Sequence, residues 1–155
     1  MRQIGRAADL LWIHFGQWRE VPSRRGGTRQ VGEGALHIQT DWRFVLESEI
    51  VVGVREMYQY AEDGSQFDWS KDGESRFDRL AVRLNREFET EMDIVTDVTC
   101  DDVGGFSILL RSGLRFDVFP CAAFSTPDVE FWRFFEPATE NDHYVVETIE
   151  GRTKG

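Results

Sequence analysis

His37, Gln39 and Asp41 stand at alternate positions in the stretch Leu36-His-Ile-Gln-Thr-Asp-Trp-Arg43. In an extended chain they project from one face, about 7 Å apart, with Leu36 and Ile38 on the other. An imidazole, a carboxamide and a carboxylate in line, with Arg43 next on the same face, could line a pocket for a polar ligand. The opposing reading, which the sequence favours, is a partly solvated strand face whose groups bond to a neighbouring loop.

A second constellation lies between Ser75 and Glu91, where the spacing predicts a helix with two stripes. At about 100° per residue, Phe77, Leu80, Ala81, Leu84 and Phe88 share an apolar arc, while Arg76, Arg79, Arg83 and Arg86 share the neighbouring one. Four guanidiniums over three turns could hold a phosphate, a carboxylate ligand or an acidic partner segment. Glu87 and the acidic series Asp93, Asp97 and Asp101 offer internal partners, so an intramolecular ion-pair seam is the expectation.

The remaining chemistry is thin. His14, His37 and His143 have no mutual spacing that suits zinc, and no metal or cofactor is expected. Asp68-x-Ser70-x-Asp72-Gly73 matches the first half of a calcium loop, but Arg79 stands where a bidentate Glu should close the shell. Neither a P-loop, a Gly-x-Ser-x-Gly elbow, a His-Glu-x-x-His nor a Cys-x-x-Cys occurs. Cys100 and Cys121 each continue an apolar alternation and read as buried free thiols. Trp42-Arg43 and Trp132-Arg133 invite stacking of guanidinium on indole.

The elements that must position these groups follow from hydrophobic period. A chain of 155 residues matches one domain, spanning 1–155, whose folding removes about 70% of the unfolded surface from water. Twelve Phe, five Trp and three Tyr need a core. Ala8 to Phe15 is apolar on both alternating faces and reads as a covered strand. The Gly- and Arg-rich segment 21–34 reads as a mobile loop, and 151–155 as a frayed tail. Ala35 to Leu46 and Ile50 to Tyr58 form a hairpin, and the loop from Glu62 to Glu74 delivers the chain to the helix. Ser75 and Asp78 make a capping box at the helix start. Met92 to Asp101 alternates between core and water. Gly105 to Leu110 and Leu114 to Phe119 pair through Arg111-Ser112-Gly113, because that register sets Leu110 against Leu114, Ile108 against Phe116 and Phe106 against Val118. Val129 to Glu136 and His143 to Glu150 complete about eight strands. The predicted class is α+β: a mainly antiparallel curved sheet or partial barrel packed on one long helix.

Leu36-His37-Ile38-Gln39, followed by Trp42-Arg43, resembles a motif of a bacterial protein family with no established activity. Ile50 to Gly53, Phe77-Asp78, Val103-Gly104-Gly105 and Phe131-Trp132-Arg133-Phe134 are similar too, so the resemblance covers most of the chain. Thr40-Asp41 departs from the small residue or Cys, then Pro, that precedes the Trp in that pattern. The resemblance implies a single domain and transfers no catalytic residue.

A formal net charge of -10, with 28 Asp and Glu against 18 Lys and Arg, opposes nucleic-acid binding through phosphates. No apolar run reaches the roughly 18 residues of a membrane span, and no signal peptide is evident, so a cytoplasmic address is expected. The expected function is a non-catalytic acidic protein that binds a protein partner or its own copy, an immunity-type role against a basic toxin being one version. The alternative is a small enzyme or ligand carrier with a pocket between helix and sheet. Trp18, Trp69 and Phe131 are the aromatics considered for self-association.

Overall fold

A computed structural model describes residues 1–23, 26–59, 68, 71, 73–90, 93–123 and 125–148. In chain order the elements are β1 (Gln3–Ala7), β2 (Leu10–Pro22), β3 (Thr28–Ile38), β4 (Asp41–Leu46), β5 (Glu49–Gly53), a 3₁₀ segment (Val54–Tyr58), α1 (Arg76–Thr90), β6 (Val95–Cys100), β7 (Phe106–Leu110), β8 (Arg115–Phe119), β9 (Glu130–Phe135) and β10 (Tyr144–Glu147). The class is α+β, with antiparallel sheets and one helix among the described residues. Instead of one curved sheet of about eight strands, ten strands form two sheets, ordered β1-β2-β3-β9-β10 and β5-β4-β8-β7-β6.

The chain changes sheets at Gln39–Thr40. Ile38 still pairs with Leu11 and Trp132 in the first sheet, and the Gln39 N–H donates to the Phe131 carbonyl. The Thr40 hydroxyl then donates to the carbonyl of Phe119 at 2.7 Å, and Asp41 opens β4 opposite Phe119 in the second sheet. The inner faces and the helix contribute to one apolar cluster. Ile4, Leu11, Ile13, Leu36 and Ile38 come from the first sheet, Trp42, Phe44, Ile108 and Phe116 from the second, and Phe77, Ala81, Leu84 and Phe88 from α1. Phe44 and Phe116 lie 4.5 Å apart between ring centres, and Trp42 meets Phe77 edge-on at 5.6 Å. The loss of apolar surface and the aromatic geometry act together here.

The capping box forms. The Ser75 N–H and hydroxyl donate to Asp78 Oδ2 at 3.0 and 2.9 Å, and the Asp78 N–H donates back to Ser75 Oγ at 3.2 Å. The same carboxylate receives Arg6 from β1 in a two-pronged contact, Nε to Oδ1 and Nη2 to Oδ2, both 2.8 Å. The Arg6 side chain is only 1% exposed. Two turns later the Asn85 carboxamide accepts from the Ile4 N–H at 2.8 Å and donates to the Ile4 carbonyl at 2.9 Å. It thereby continues the ladder beyond the edge strand, where open backbone groups would otherwise remain.

Several expectations change. Ala8 is the first residue of a tight turn (φ 55°), so the apolar run is the start of a strand that continues to Pro22. The supposed loop 21–34 is largely strand: Val21 pairs with Arg29 and Pro22 with Thr28. Gly26 and Gly27 take positive φ between the paired strands, while Gly32 and Gly34 serve close approaches, since a Cβ on Gly32 would meet the Phe15 carbonyl oxygen at 2.6 Å and one on Gly34 the Phe134 ring at 2.8 Å. Residues 54–58 form the 3₁₀ segment rather than strand. The residues of β6 are exposed on both faces because β6 is an edge strand extending beyond the covered core. Cys100 and Cys121 are free, as expected, yet exposed. The β7–β8 register is as predicted, with Gly113 at φ 88°. Trp69, most of the Glu62 to Glu74 loop with Ser70 and Asp72 of its calcium-like sequence, and the tail lie outside the described residues. No helix among the described residues is long and apolar enough to cross a membrane.

Asp78→Ala removes the two-pronged carboxylate from a buried guanidinium, together with the helix cap, and should lower stability by about 3–5 kcal/mol in urea denaturation. Burial raises the Asp78 pKa, but bonds from Arg6 and Ser75 outweigh it and hold the carboxyl below its usual range. Its contribution is therefore complete above the ordinary carboxylate pKa and disappears as pH falls through the depressed value. Asp78→Asn should flatten that acid limb. An unchanged acid limb in the Asn variant would assign it to other carboxylates.

Candidate functional site

The four residues His37, Gln39, Asp41 and Arg43 do not meet, because the change of sheets falls between them. His37 lies on the outer face of the first sheet, beside Trp12 and Arg133 in register. Gln39 donates to Glu130 at 3.1 Å. Asp41 is exposed; with burial, its carboxylate raises the pKa of the Cys121 thiol and so disfavours a thiolate nucleophile there. Arg43 lies on the outer face of the second sheet, where its Nε donates to Asp117 at 2.9 Å and its guanidinium covers the Phe119 ring at 4.9 Å. Asp117, only 3% exposed, also accepts from Arg115 and Ser107. Burial raises its pKa, but these bonds outweigh that and hold it below the usual range. Arg43 is thus committed to a structural carboxylate. The expected Trp–Arg stacks are absent among the described residues, since neighbours along a strand face opposite ways. Trp42 enters the core, Trp132 packs on Phe106, and Arg133 pairs with Glu130.

The arginine stripe is intact and outward. Arg76, Arg79, Arg83 and Arg86 are all exposed, and none has an ion pair among the described residues. The expected seam does not form, because its acids are used otherwise or face solvent. Asp101 accepts from the Val103 and Gly105 N–H groups at 2.9 and 2.7 Å, Asp93 holds Ser112, and Asp97 is exposed on the edge strand. Beside the stripe runs a groove of about 780 Å³ between α1 and the second sheet. Its floor is Leu46, Val51, Leu80, Leu84, Phe88 and Leu114, and its polar lining is Arg83, Glu87, Asp93, Arg111 and Ser112. Leu80, Arg83, Leu84, Glu87 and Phe88 follow the helical i, i+3, i+4 pattern, so the groove extends along about two turns. A pocket between helix and sheet therefore exists, but the His37 group does not line it.

A second concavity of about 240 Å³ opens on the outer face of the first sheet, lined by His14, Arg29, Val31, His37, Arg133, Phe135, Pro137 and His143. All three histidines of the chain meet there. The Gly32 N–H donates to His14 Nδ1 at 2.7 Å, which places the His14 proton on Nε2. His143 stacks on Phe135 at 4.5 Å, and His37 meets the same ring edge-on at 4.8 Å. Burial, then His37 and Arg29, push His14 down to about 4. Burial, then Arg133, lower His37, with Glu130 opposing. No group of metal-ligating side chains with suitable geometry occurs among the described residues. The three histidines are far apart in sequence, and the adjacency of β2, β3, β9 and β10 in one sheet brings them together.

No protein-family profile, no curated protein and no solved structure matches this chain.

As pH falls from about 6.5 to about 4, the unfolded chain protonates at His14 while the folded chain does not. This residue's effect on stability is therefore absent above that window and grows as pH drops through it. In urea titrations over the window, His14→Gln, which keeps an acceptor for Gly32, should lose less stability than the parent. Parallel curves would exclude His14 as the source.

Proposed function

We propose that this protein is a non-catalytic binding protein whose α1 groove receives an acidic, partly apolar segment of another protein. The observation that carries this reading is the row of four exposed guanidiniums, without an ion pair among the described residues, beside an apolar floor. Like charges at i, i+3 and i, i+4 each cost a helix about 0.2–0.5 kcal/mol. The chain has 28 acidic residues, yet none among the described residues forms an ion pair with that row. Arg83 on the helix and Arg111 on the β7–β8 turn both contribute to the lining, so a carboxylate-bearing segment would find cations on both walls and apolar contact below. Glu87 and Asp93 set limits on where its acidic groups can lie. Among the described residues lining the groove there is no histidine or cysteine, and the Ser112 hydroxyl is held by Asp93, which favours recognition over catalysis.

A second reading keeps the opposite polarity: capture of a basic partner, as in an immunity-type protein. It rests on β6, an exposed edge strand that carries Asp97 between Val95 and Val98 and leads to Asp101 and Asp102. Charge reversal separates the two. Captures from host lysate at low and high salt should yield a partner with an acidic segment, and Arg79→Glu with Arg83→Glu should weaken its binding about tenfold or more. Arg55→Glu, on the 3₁₀ segment, should have little effect. A partner that is basic and binds the reversed variant equally well would sink the groove reading and support the β6 one.

A further inference from the structure

We propose that the cleft on the outer face of the first sheet is an oxyanion site, binding a phosphate or carboxylate group through Arg29, Arg133 and the imidazoles of His14, His37 and His143. This site is separate from the α1 groove and does not depend on that reading.

The lining contains five nitrogen-bearing basic side chains and no carboxylate, in a chain where acids outnumber Lys and Arg by 28 to 18. The hydrogen-bond roles leave two of the rings with a donor nitrogen. His14 Nδ1 is occupied by the Gly32 N–H, and His143 Nδ1 lies 3.2 Å from Arg133 Nη1, a guanidinium that can only donate. Both rings consequently carry their remaining proton on Nε2. His37 is half-buried and makes no hydrogen bond among the described residues, so its ring nitrogens are available to a ligand. Arg29 likewise has no ion pair among them.

Arg133 is already engaged on one side: Nε and Nη2 bond to Glu130, which itself receives Gln39. That carboxylate fixes the guanidinium plane from behind and does not line the cleft. Its charge offsets that of Arg133, leaving Arg29 as the net fixed positive charge when the three imidazoles are neutral. An arriving oxyanion would favour imidazole protonation, which strengthens its own binding. The volume of about 240 Å³ accommodates one phosphate or a small carboxylic acid, with Val31 and Phe135 restricting water.

The test is a histidine-selective NMR titration of the full chain at constant ionic strength, with inorganic phosphate in one arm, malonate in a second and chloride in a third. The expected result is that the three imidazoles shift together and saturably with phosphate or malonate, the stronger arm identifying the ligand class. His143→Gln and Arg29→Ala both lie at exposed positions and should leave the fold intact, as read from the backbone amide spectrum. Each should weaken binding by about tenfold or more, as for loss of a charge-assisted hydrogen bond. Shifts that fail to saturate, or that chloride reproduces equally, would overturn the proposal. So would saturable binding that both variants leave intact.

Discussion

The contact between Arg6 and Asp78 holds the two halves of this architecture in relation to each other. Arg6 projects inward from an edge strand of the first sheet, and Asp78 sits in the first turn of the only helix among the described residues. A guanidinium withdrawn from water is tolerable only when its donors are filled, and here Asp78, the Ala8 carbonyl and the Lys71 carbonyl all accept from it. One carboxylate thus performs two tasks: it closes the helix N-terminus with Ser75 and it fixes that terminus against β1. Asn85 repeats the attachment two turns later by treating Ile4 as a strand neighbour. With both ends of the inner face located, Phe77, Ala81, Leu84 and Phe88 must enter the core, and the arginine arc must point away from it.

The turn at Gln39–Thr40 is the second constraint, and it determines what the motif Leu36 to Arg43 is for. Alternation in a single strand would place His37 and Arg43 on a common face. The sheet change preserves the inward direction of Leu36, Ile38, Trp42 and Phe44, but it divides the polar members between two outer faces. Each then acquires local partners: Phe135 for His37, Asp117 for Arg43. The motif therefore reads as packing across a crossover between sheets, with Trp42 buried and its Nε1 without a hydrogen-bond partner among the described residues.

What the sequence revealed depended on how local the determining interaction is. The helix, its Ser75–Asp78 cap and the Leu110–Leu114 hairpin are set by neighbours within a few residues, and all three were readable. The first strand was not, because its buried members are Ile4 and Arg6, and an arginine in a short polar stretch resembles surface until its acceptor 72 residues later is known. The β2–β3 arm was obscured by glycines whose purpose is clearance for Phe15 and Phe134. The exposure of the arginine row followed from the helix period, but the failure of the internal seam required knowing that Asp101 caps its own loop and Asp93 holds Ser112.

Charge distribution connects these points to recognition. An acidic chain can keep a cationic cluster only where its own acids are sterically occupied or directed elsewhere, since the electrostatic gain from neutralisation would otherwise draw them in. At the α1 groove Asp93 is occupied by Ser112; around the histidines, Glu130 is held beside Arg133 but outside the cleft lining. The α1 groove keeps Glu87 and Asp93 in its lining beside Arg83 and Arg111, with Asp93 bonded to Ser112, whereas the histidine cleft has no carboxylate in its lining. A negative surface elsewhere would slow approach of an anionic ligand from most directions and leave these two openings as the favourable ones. If the two openings bind as proposed, their selectivity follows from where the chain's abundant acids are held.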